Sequence, residues 1–367
     1  NEGQPSTKMP KEVSFSKNST DLSQWINAMN GYQYDSFNSD VLINRAKVEN
    51  GKISFGGGIE YGALLFPGSH KMAPNKLLSL ASAEKILQLV KDGATIFVDE
   101  KPNLQPGVQS DADLKKWQNV IDEIWNHSNT STWKIGKGTV IKLPYLENDF
   151  ASIGITQDVY FPNLNRADSE TIAWTHRKSD TEDVYFISNQ KEEKRSFEAS
   201  FRIAGKIPVW YNPITDKTSA LANWKIENER TIVSIALDAN ESGFVIFKEE
   251  TKEILAQRKS SEFETVQTLD ENWELQFDPA FKGPKEIVKT NKLFDWSTSD
   301  NDQIKYYSGT VVYKKEFVWK GKDTGKIWID LGEIANIAEI KINGKDCGIL
   351  WTFPFKTDIS QVLKKGK

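Results

Sequence analysis

The chain has 367 residues, net charge −4 and a pI near 5.7, with 38 % of its residues apolar and 27 % charged. That length predicts two or three domains at roughly 100–200 residues each, and the slight acidity argues against nucleic acid, whose partners carry a basic patch. No apolar run approaches the roughly 20 residues of a membrane helix, and a single cysteine, Cys347, excludes an internal disulfide.

One cysteine fits a reducing compartment and equally a cysteine-poor periplasmic protein. The N-terminus, "NEGQPSTKMPKEV", lacks the apolar stretch of a signal peptide and reads as a cut edge or a linker. Twelve tryptophans point first to large aromatic cores.

The first 150 residues alternate strands and helices. "STDLSQWINAMNG" (19–31) reads as a helix ended by Gly31, and "AKVENGKISF" (46–55) as a hairpin around Asn50-Gly51. "YGALLFPGS" (61–69) is a continuous apolar strand, and "APNKLLSLASAEKILQLVKDG" (73–93) a helix with Leu80, Ala83, Leu87 and Val90 on one face. Gly93 stands at the expected left-handed cap. "ATIFVD" (94–99) is the next strand, which makes a parallel pair. A helix over 110–125 starts at Ser110 and Asp113 in a capping arrangement, with Leu114, Trp117, Ile121 and Ile124 inward. "GTVIKLP" (138–144) is another buried strand.

From about 158 the period changes. "TIAWTHRKSDTEDVYFISNQ" (171–190) is a hairpin, and "RSFEASFRIAG" (195–205) alternates with Phe197, Ala199, Phe201 and Ile203 on one side. "RTIVSIALDANESGFVIFKEE" (230–250) gives two more strands around a polar turn. From about 252, "NWELQF", "GTVVYKKEFVW", "GKIWIDLG", "IAEIKING" and "INGKDCGILWTFPFKTDIS" follow at jelly-roll spacing. Asn343-Gly344 marks a two-residue hairpin turn. The aromatics after it either close a core, with Trp351 and Phe355 alternating inward, or present a flat apolar surface to a sugar ring. On the second reading Trp351, Asn343 and Asp346 are candidate sugar contacts; on the first, Asn343 and Asp346 are turn residues.

Familiar chemistry is scarce. "GGGIEYG" (56–62) lacks the dinucleotide spacing and precedes a strand rather than a helix. Ser69 and His70 sit at the end of a strand, but the nucleophile elbow needs a second glycine that is missing. None of His70, His127 and His176 pairs with another at metal-ligand spacing, so no metal and no cofactor is expected. His176, alternating with Trp174 on a strand, reads as a satisfied structural histidine.

Residues 31–74 resemble the segment after the catalytic barrel in large bacterial glycoside hydrolases of the α-L-rhamnosidase type, family 106. The shared phrase falls on Tyr34, Asp35, Asn38, Asp40 and Leu42. "WTHRKSDTEDVYFISNQ" and "VWYNPITDKTSAL" look like the next β domain of the same proteins. "YSGTVVYKKEFVW" and residues 329–360 look like the galactose-binding-like, family 2 type sugar-binding domain, on Leu331, Gly332, Ala338, Asn343, Gly344, Gly348, Trp351, Pro354 and Phe355.

The resemblance implies an α/β plus all-β multidomain chain. An open α/β sheet of amidotransferase-like or flavodoxin-like type covers 1–155, an antiparallel β-sandwich 156–254, and a jelly-roll β-sandwich, incomplete at its C-terminus, 255–367. Tyr34, Asp35 and Asn38 become a candidate substrate-side loop; the alternative is a local turn held by Asx side chains. Family members carry their catalytic carboxylates in an N-terminal barrel of about 250 residues. On this reading the chain starts after it, so no catalytic residue is carried over and the isolated chain is expected not to hydrolyse glycosides.

The expected role is then the non-catalytic C-terminal part of a periplasmic or secreted glycosidase. Its partners would be the upstream barrel and an oligosaccharide or a plant or bacterial polysaccharide. The alternatives are an independent carbohydrate-binding or assembly module and a stand-alone α/β hydrolase, the last disfavoured by the missing elbow.

Overall fold

A computed structural model of the chain describes residues 31–66, 77–103, 105–107, 109–127, 130–142, 147–257, 263–321 and 325–363. The helix expected over 19–31 and the Ser69–His70 turn lie outside them. The regular structure of the described residues is mostly strand, with few helices. The chain divides into two compact units. The first comprises Asn1–Ile187, Phe197–Ile235 and Phe244–Leu255, and the second Ser188–Ser196, Ala236–Gly243 and Ala256–Lys367.

In the first unit, loop 31–38 leads into helix α1 (Ser39–Arg45). Strands β1 (Lys47–Glu49), β2 (Lys52–Gly56) and β3 (Ile59–Tyr61) form an antiparallel sheet. Asn50 and Gly51 turn between the first two with φ of 52° and 78°, as the hairpin reading requires. Gly56, Gly57 and Gly58 all have positive φ, and the glycine-rich stretch is the turn between β2 and β3.

Strands β4 (Leu64–Phe66), β5 (Thr95–Val98), β6 (Thr132–Ile135) and β7 (Gly138–Lys142) form a four-stranded sheet in the order β4-β5-β7-β6. The β4–β5 and β5–β7 pairs are parallel and β6 runs antiparallel to β7. Helices α2 (Leu80–Asp92) and α3 (Asp111–Trp125) pack with this sheet around Ile86, Val90, Ile96, Ile121, Ile124 and Val140.

The helix expected over 73–93 begins only at Leu80. Ser79 Oγ accepts the Ser82 N–H at 3.2 Å and ends the preceding extended segment. At α3 the capping arrangement forms as expected: Ser110 Oγ accepts the Asp113 N–H at 3.1 Å and donates to the Asp113 carboxylate at 2.7 Å. Leu114 is not inward; it is 44 % exposed, and Val120 joins Trp117, Ile121 and Ile124 in the buried stripe. Strand β7 crosses the end of α2 so closely that a Cβ on Gly138 would lie 2.2 Å from Val90 O and 2.4 Å from Ala94 O.

After helix α4 (Glu147–Ser152), the chain turns to strands. They are β8 (Val159–Tyr160), β9 (Ile172–Lys178), β10 (Asp183–Asn189), β11 (Arg195–Phe201), β12 (Lys206–Asn212), β13 (Lys217–Ala220), β14 (Asn223–Glu227), β15 (Arg230–Leu237), β16 (Ser242–Glu250) and β17 (Leu255–Gln257). The short helix α5 (Arg166–Ser169) interrupts them. They build two five-stranded sheets, β13-β12-β16-β10-β9 and β17-β14-β15-β11-β8. The sheets meet through Phe201, whose ring centroid lies 4.7 Å from that of Tyr185 and 5.4 Å from that of Phe247. Phe197, Ala199 and Phe201 are buried, as strict alternation predicts. Consecutive strands β15 and β16 belong to different sheets, so the polar turn between them changes sheet.

The second unit contains β18 (Trp273–Phe277), β19 (Val288–Thr290), helix α6 (Asp302–Lys305), β20 (Val311–Lys314), β21 (Trp328–Asp330), β22 (Ala338–Ile342), β23 (Lys345–Leu350) and β24 (Lys356–Asp358). Its strands form three separate ladders: β19-β18-β20, β21-β24 and β22-β23. Leu275, Phe277 and Ile304 make one small core, and Ile340, Leu350 and Phe355 another. The Asn343-Gly344 turn has φ of 52° and 76° and pairs Ile342 with Lys345, confirming the hairpin. The buried Asn189 side chain donates to Glu193 O at 2.8 Å and Asp238 O at 2.9 Å, stitching together the two turns this unit includes.

Candidate functional site

A set of buried ionisable side chains in the first unit gathers at the start of β8 and β10 and along β9. His176 projects from β9 with Asp158 Oδ2 at 2.8 Å from Nδ1 and Asp183 Oδ1 at 3.1 Å from Nε2. The three side chains are only 12 %, 9 % and 8 % exposed. Tyr185 stacks on the imidazole at 4.0 Å between centroids and donates its hydroxyl to Asp158 at 3.1 Å. Lys206 Nζ lies 3.3 Å from Asp183, and Arg202 Nε 3.5 Å from Asp158.

Two opposed effects set the Asp158 carboxyl. Burial pushes its pKa up, but the hydrogen bond and charge of His176, with Arg202 and Tyr185, outweigh burial and hold it below the usual value. Burial first, then the Asp158 charge, pushes the Tyr185 hydroxyl up. These contacts hold the Asp158, His176 and Asp183 side chains in one arrangement.

Arg230 locks the backbone beneath it. Its guanidinium donates to Gln157 O at 2.7 Å, Asp158 O at 3.0 Å, Ser200 O at 2.9 Å and Ser200 Oγ at 2.9 Å, and lies 4.8 Å over the Tyr160 ring. Burial lowers its pKa from the usual arginine value.

The predicted loop 31–38 comes to this cluster. Gly31 O accepts the Asp158 N–H at 2.7 Å, and Gln33 Nε2 reaches Thr175 Oγ1 at 3.3 Å and His176 O at 3.4 Å. Asp35 is exposed and accepts the Tyr61 hydroxyl at 2.5 Å. Burial, then that bond, pushes Tyr61 up to about 12. Tyr34 is half-buried, and burial raises its pKa. Asn38 caps α1, its Oδ1 accepting the Val41 N–H at 3.0 Å, so this member of the phrase serves the helix. Gln33 and Asp35 in the loop, and Thr175 and Arg177 on either side of His176 in β9, stand exposed.

The second unit holds the other predicted residues. Trp351 is 58 % exposed, whereas Phe355 is buried with Ile340 and Leu350; the two do not share the core. Asn343 Nδ2 donates to Val362 O at 2.9 Å, and Asp346 Oδ1 accepts the Gly348 N–H at 2.7 Å. Asn343 therefore ties the hairpin turn to Val362, and Asp346 braces the backbone within β23. Near the 236–243 turn, Asp238 pairs with Lys356 and lies 3.6 Å from Lys194. Burial pushes its carboxyl up, but these lysines outweigh burial and lower it. Glu241 accepts the Asp238 N–H at 2.7 Å, yet burial dominates and raises it. No group of three or more His, Cys, Asp or Glu with metal-binding geometry occurs among the described residues.

The glycoside hydrolase family 106 description, alpha-L-rhamnosidase, matches residues 14–226, more than half of the sequence. The chain belongs to this family. The solved rhamnosidase of Novosphingobium sp. PP1Y is 27 % identical with a TM-score of 0.77, over 93 % of this chain and 32 % of that one. A protein of Formosa agariphila named "Putative beta-glucuronidase" is 30 % identical over 233 residues, 61 % of this chain and 18 % of that protein. The chain thus spans about a third of the solved rhamnosidase and under a fifth of the curated relative.

Family 106 membership corrects one expectation. The resemblance to the segment after the barrel implies a non-catalytic C-terminal part serving an upstream barrel. The match overturns that reading, because residues 14–226 lie within the description that defines the rhamnosidase family itself. An upstream barrel as partner has no support. Loop 31–38, Asp158, His176 and Asp183 all fall inside the family 106 match. Sequence reasoning found the loop through its family phrase and missed the acid partners of His176, which have no regular spacing from it.

Proposed function

We propose that the protein acts as an α-L-rhamnosidase-type glycoside hydrolase on oligosaccharides or polysaccharides. The observation that carries this reading is the family match over 14–226, which includes the loop and the His176 cluster. The face around the cluster suits a polyhydroxylated ligand. Asp35, Gln33, Thr175 and Arg177 offer charged and neutral hydrogen-bond partners at the surface, and Gln33 ties the loop to β9 through Thr175 Oγ1 and His176 O.

A second reading, cleavage of glucuronides, is favoured by the name of the Formosa agariphila relative. The test is to incubate the protein with aryl α-L-rhamnoside, aryl β-D-glucuronide and a panel of other aryl glycosides. Release of aglycone from the rhamnoside, reduced in Asp35→Ala, is the expected result. Turnover of the glucuronide alone would install the second reading, and no turnover of any would sink both.

The same proposal includes a periplasmic or secreted location and three domains over 1–155, 156–254 and 255–367. It also reads the last of these as a galactose-binding-like jelly roll. Support for the third domain's sugar contact comes from Trp351, whose indole stands at the surface at the open end of the β22–β23 hairpin, away from the Asn343-Gly344 turn.

A further inference from the structure

We propose that Trp296 and Tyr313, in the second unit, form a flat platform that binds a saccharide through the C–H face of its pyranose rings. The Trp296 indole N–H donates to the Tyr313 hydroxyl at 2.7 Å. The two ring planes differ by 14°, with centroids 6.4 Å apart. An indole N–H leaves the ring edge within the ring plane. A short bond along it, between nearly parallel planes, sets the rings side by side rather than face to face. The result is one continuous aromatic surface two rings wide.

That surface packs against neighbouring aromatics, and Trp296 is partly buried against the small core of Leu275, Phe277 and Ile304. Phe277 and Tyr307 lie against Trp296 at 5.6 and 5.9 Å, and Trp273 meets Tyr313 at 6.3 Å in an edge-on contact. Tyr313 remains 38 % exposed. The hydrogen bond removes the rotamer freedom of both rings before a ligand arrives, so little ordering is left to oppose binding. It also uses the indole donor, leaving π faces as the surface's main chemistry.

Electron-rich ring faces attract electropositive C–H groups, and a pyranose shows such a face with its hydroxyls at the rim. Two charged groups lie nearby in the fold: the exposed Asp295 carboxylate, which precedes Trp296 and accepts the Ser297 N–H at 2.9 Å, and Lys315, whose Nζ lies 5.5 Å over Trp273 and donates to Glu271 O. A nucleobase would stack too, but the chain's net charge of −4 opposes a phosphate backbone. The choice of saccharide rests on the glycoside hydrolase reading; the platform itself rests on ring geometry.

The test is isothermal titration of the whole chain with a rhamnose-containing oligosaccharide, and with maltoheptaose beside it. The expected result is binding of the first, weakened about tenfold or more in Tyr313→Ala and Trp296→Ala. Tyr313→Phe keeps the ring and loses the bond, and is expected to fall between. It also serves where Trp296→Ala fails to fold, as judged by near-UV circular dichroism. Lys289→Ala, on the opposite sheet face with Glu274, is expected to bind unchanged. Comparable binding of maltoheptaose supports stacking, which reads ring shape. No binding of either saccharide, or binding indifferent to Tyr313→Ala, overturns the platform. A chain that binds but cleaves no glycoside loses the proposed activity and keeps the platform; one that cleaves but ignores Tyr313→Ala does the reverse.

Discussion

His176 is held between two acids, of which Asp158 also meets Tyr185 and Arg202 and Asp183 also meets Lys206. Replacing it with alanine leaves Asp158 and Asp183 buried without the ring, and breaking such a buried pair costs about 3–5 kcal/mol. Urea denaturation of His176→Ala is expected to show that loss, and much of it should return when Asp158→Asn and Asp183→Asn are added. The acid limb is a separate consequence. The folded pKa of Asp158 lies below its unfolded value, near 3.8. Its contribution is therefore complete above that value and lost as pH falls through the lower folded one. Melting temperatures measured below about pH 4 should fall less steeply in Asp158→Asn than in the parent. The sequence marked His176 as structural from its alternation on a strand. Its acid partners are contributed by other strands, and nothing in local spacing announces them.

At the scale of elements, capping chemistry was the most legible feature. Ser110 and Asp113 announced the start of α3, and Asn50-Gly51 and Asn343-Gly344 announced their hairpins, because each device acts within four residues. What failed had a physical cause. The start of α2 was placed too early because helix-forming residues precede Ser79, and propensity alone does not show which serine will cap. Strand β6 escaped notice: only Trp133 and Ile135 of its four residues are buried. The close crossing at Gly138 was invisible too, since only the third dimension brings Val90 and Ala94 to it. Gly138→Ala is expected to destabilise the first unit by about 1–3 kcal/mol, read as a lower denaturation midpoint. An unchanged midpoint would mean that β7 can move away from α2 freely.

For the whole molecule, the broad change from mixed α/β to β structure was readable from period alone. Burial was less so in the second unit, where short ladders leave large apolar side chains at the surface. Ile337 is 68 % and Ile349 59 % exposed. Exposed apolar groups in short ladders favour association. Sedimentation velocity is expected to show concentration-dependent growth in the parent chain, and less of it in Ile337→Lys/Ile349→Lys. A strictly monomeric parent at high concentration would refute this.

The Arg230 guanidinium has a kinetic consequence. By holding the carbonyls of residues 157, 158 and 200, it couples backbone segments distant in sequence. The amide of Asp158 bonds to Gly31 O, and the amide of Arg202 to Asp158 O. Neither amide can meet solvent deuterium without disturbing the same junction. Their exchange rates should therefore track one another across denaturant concentrations, as two reporters of a single opening event, and Arg230→Lys should speed both by a similar factor.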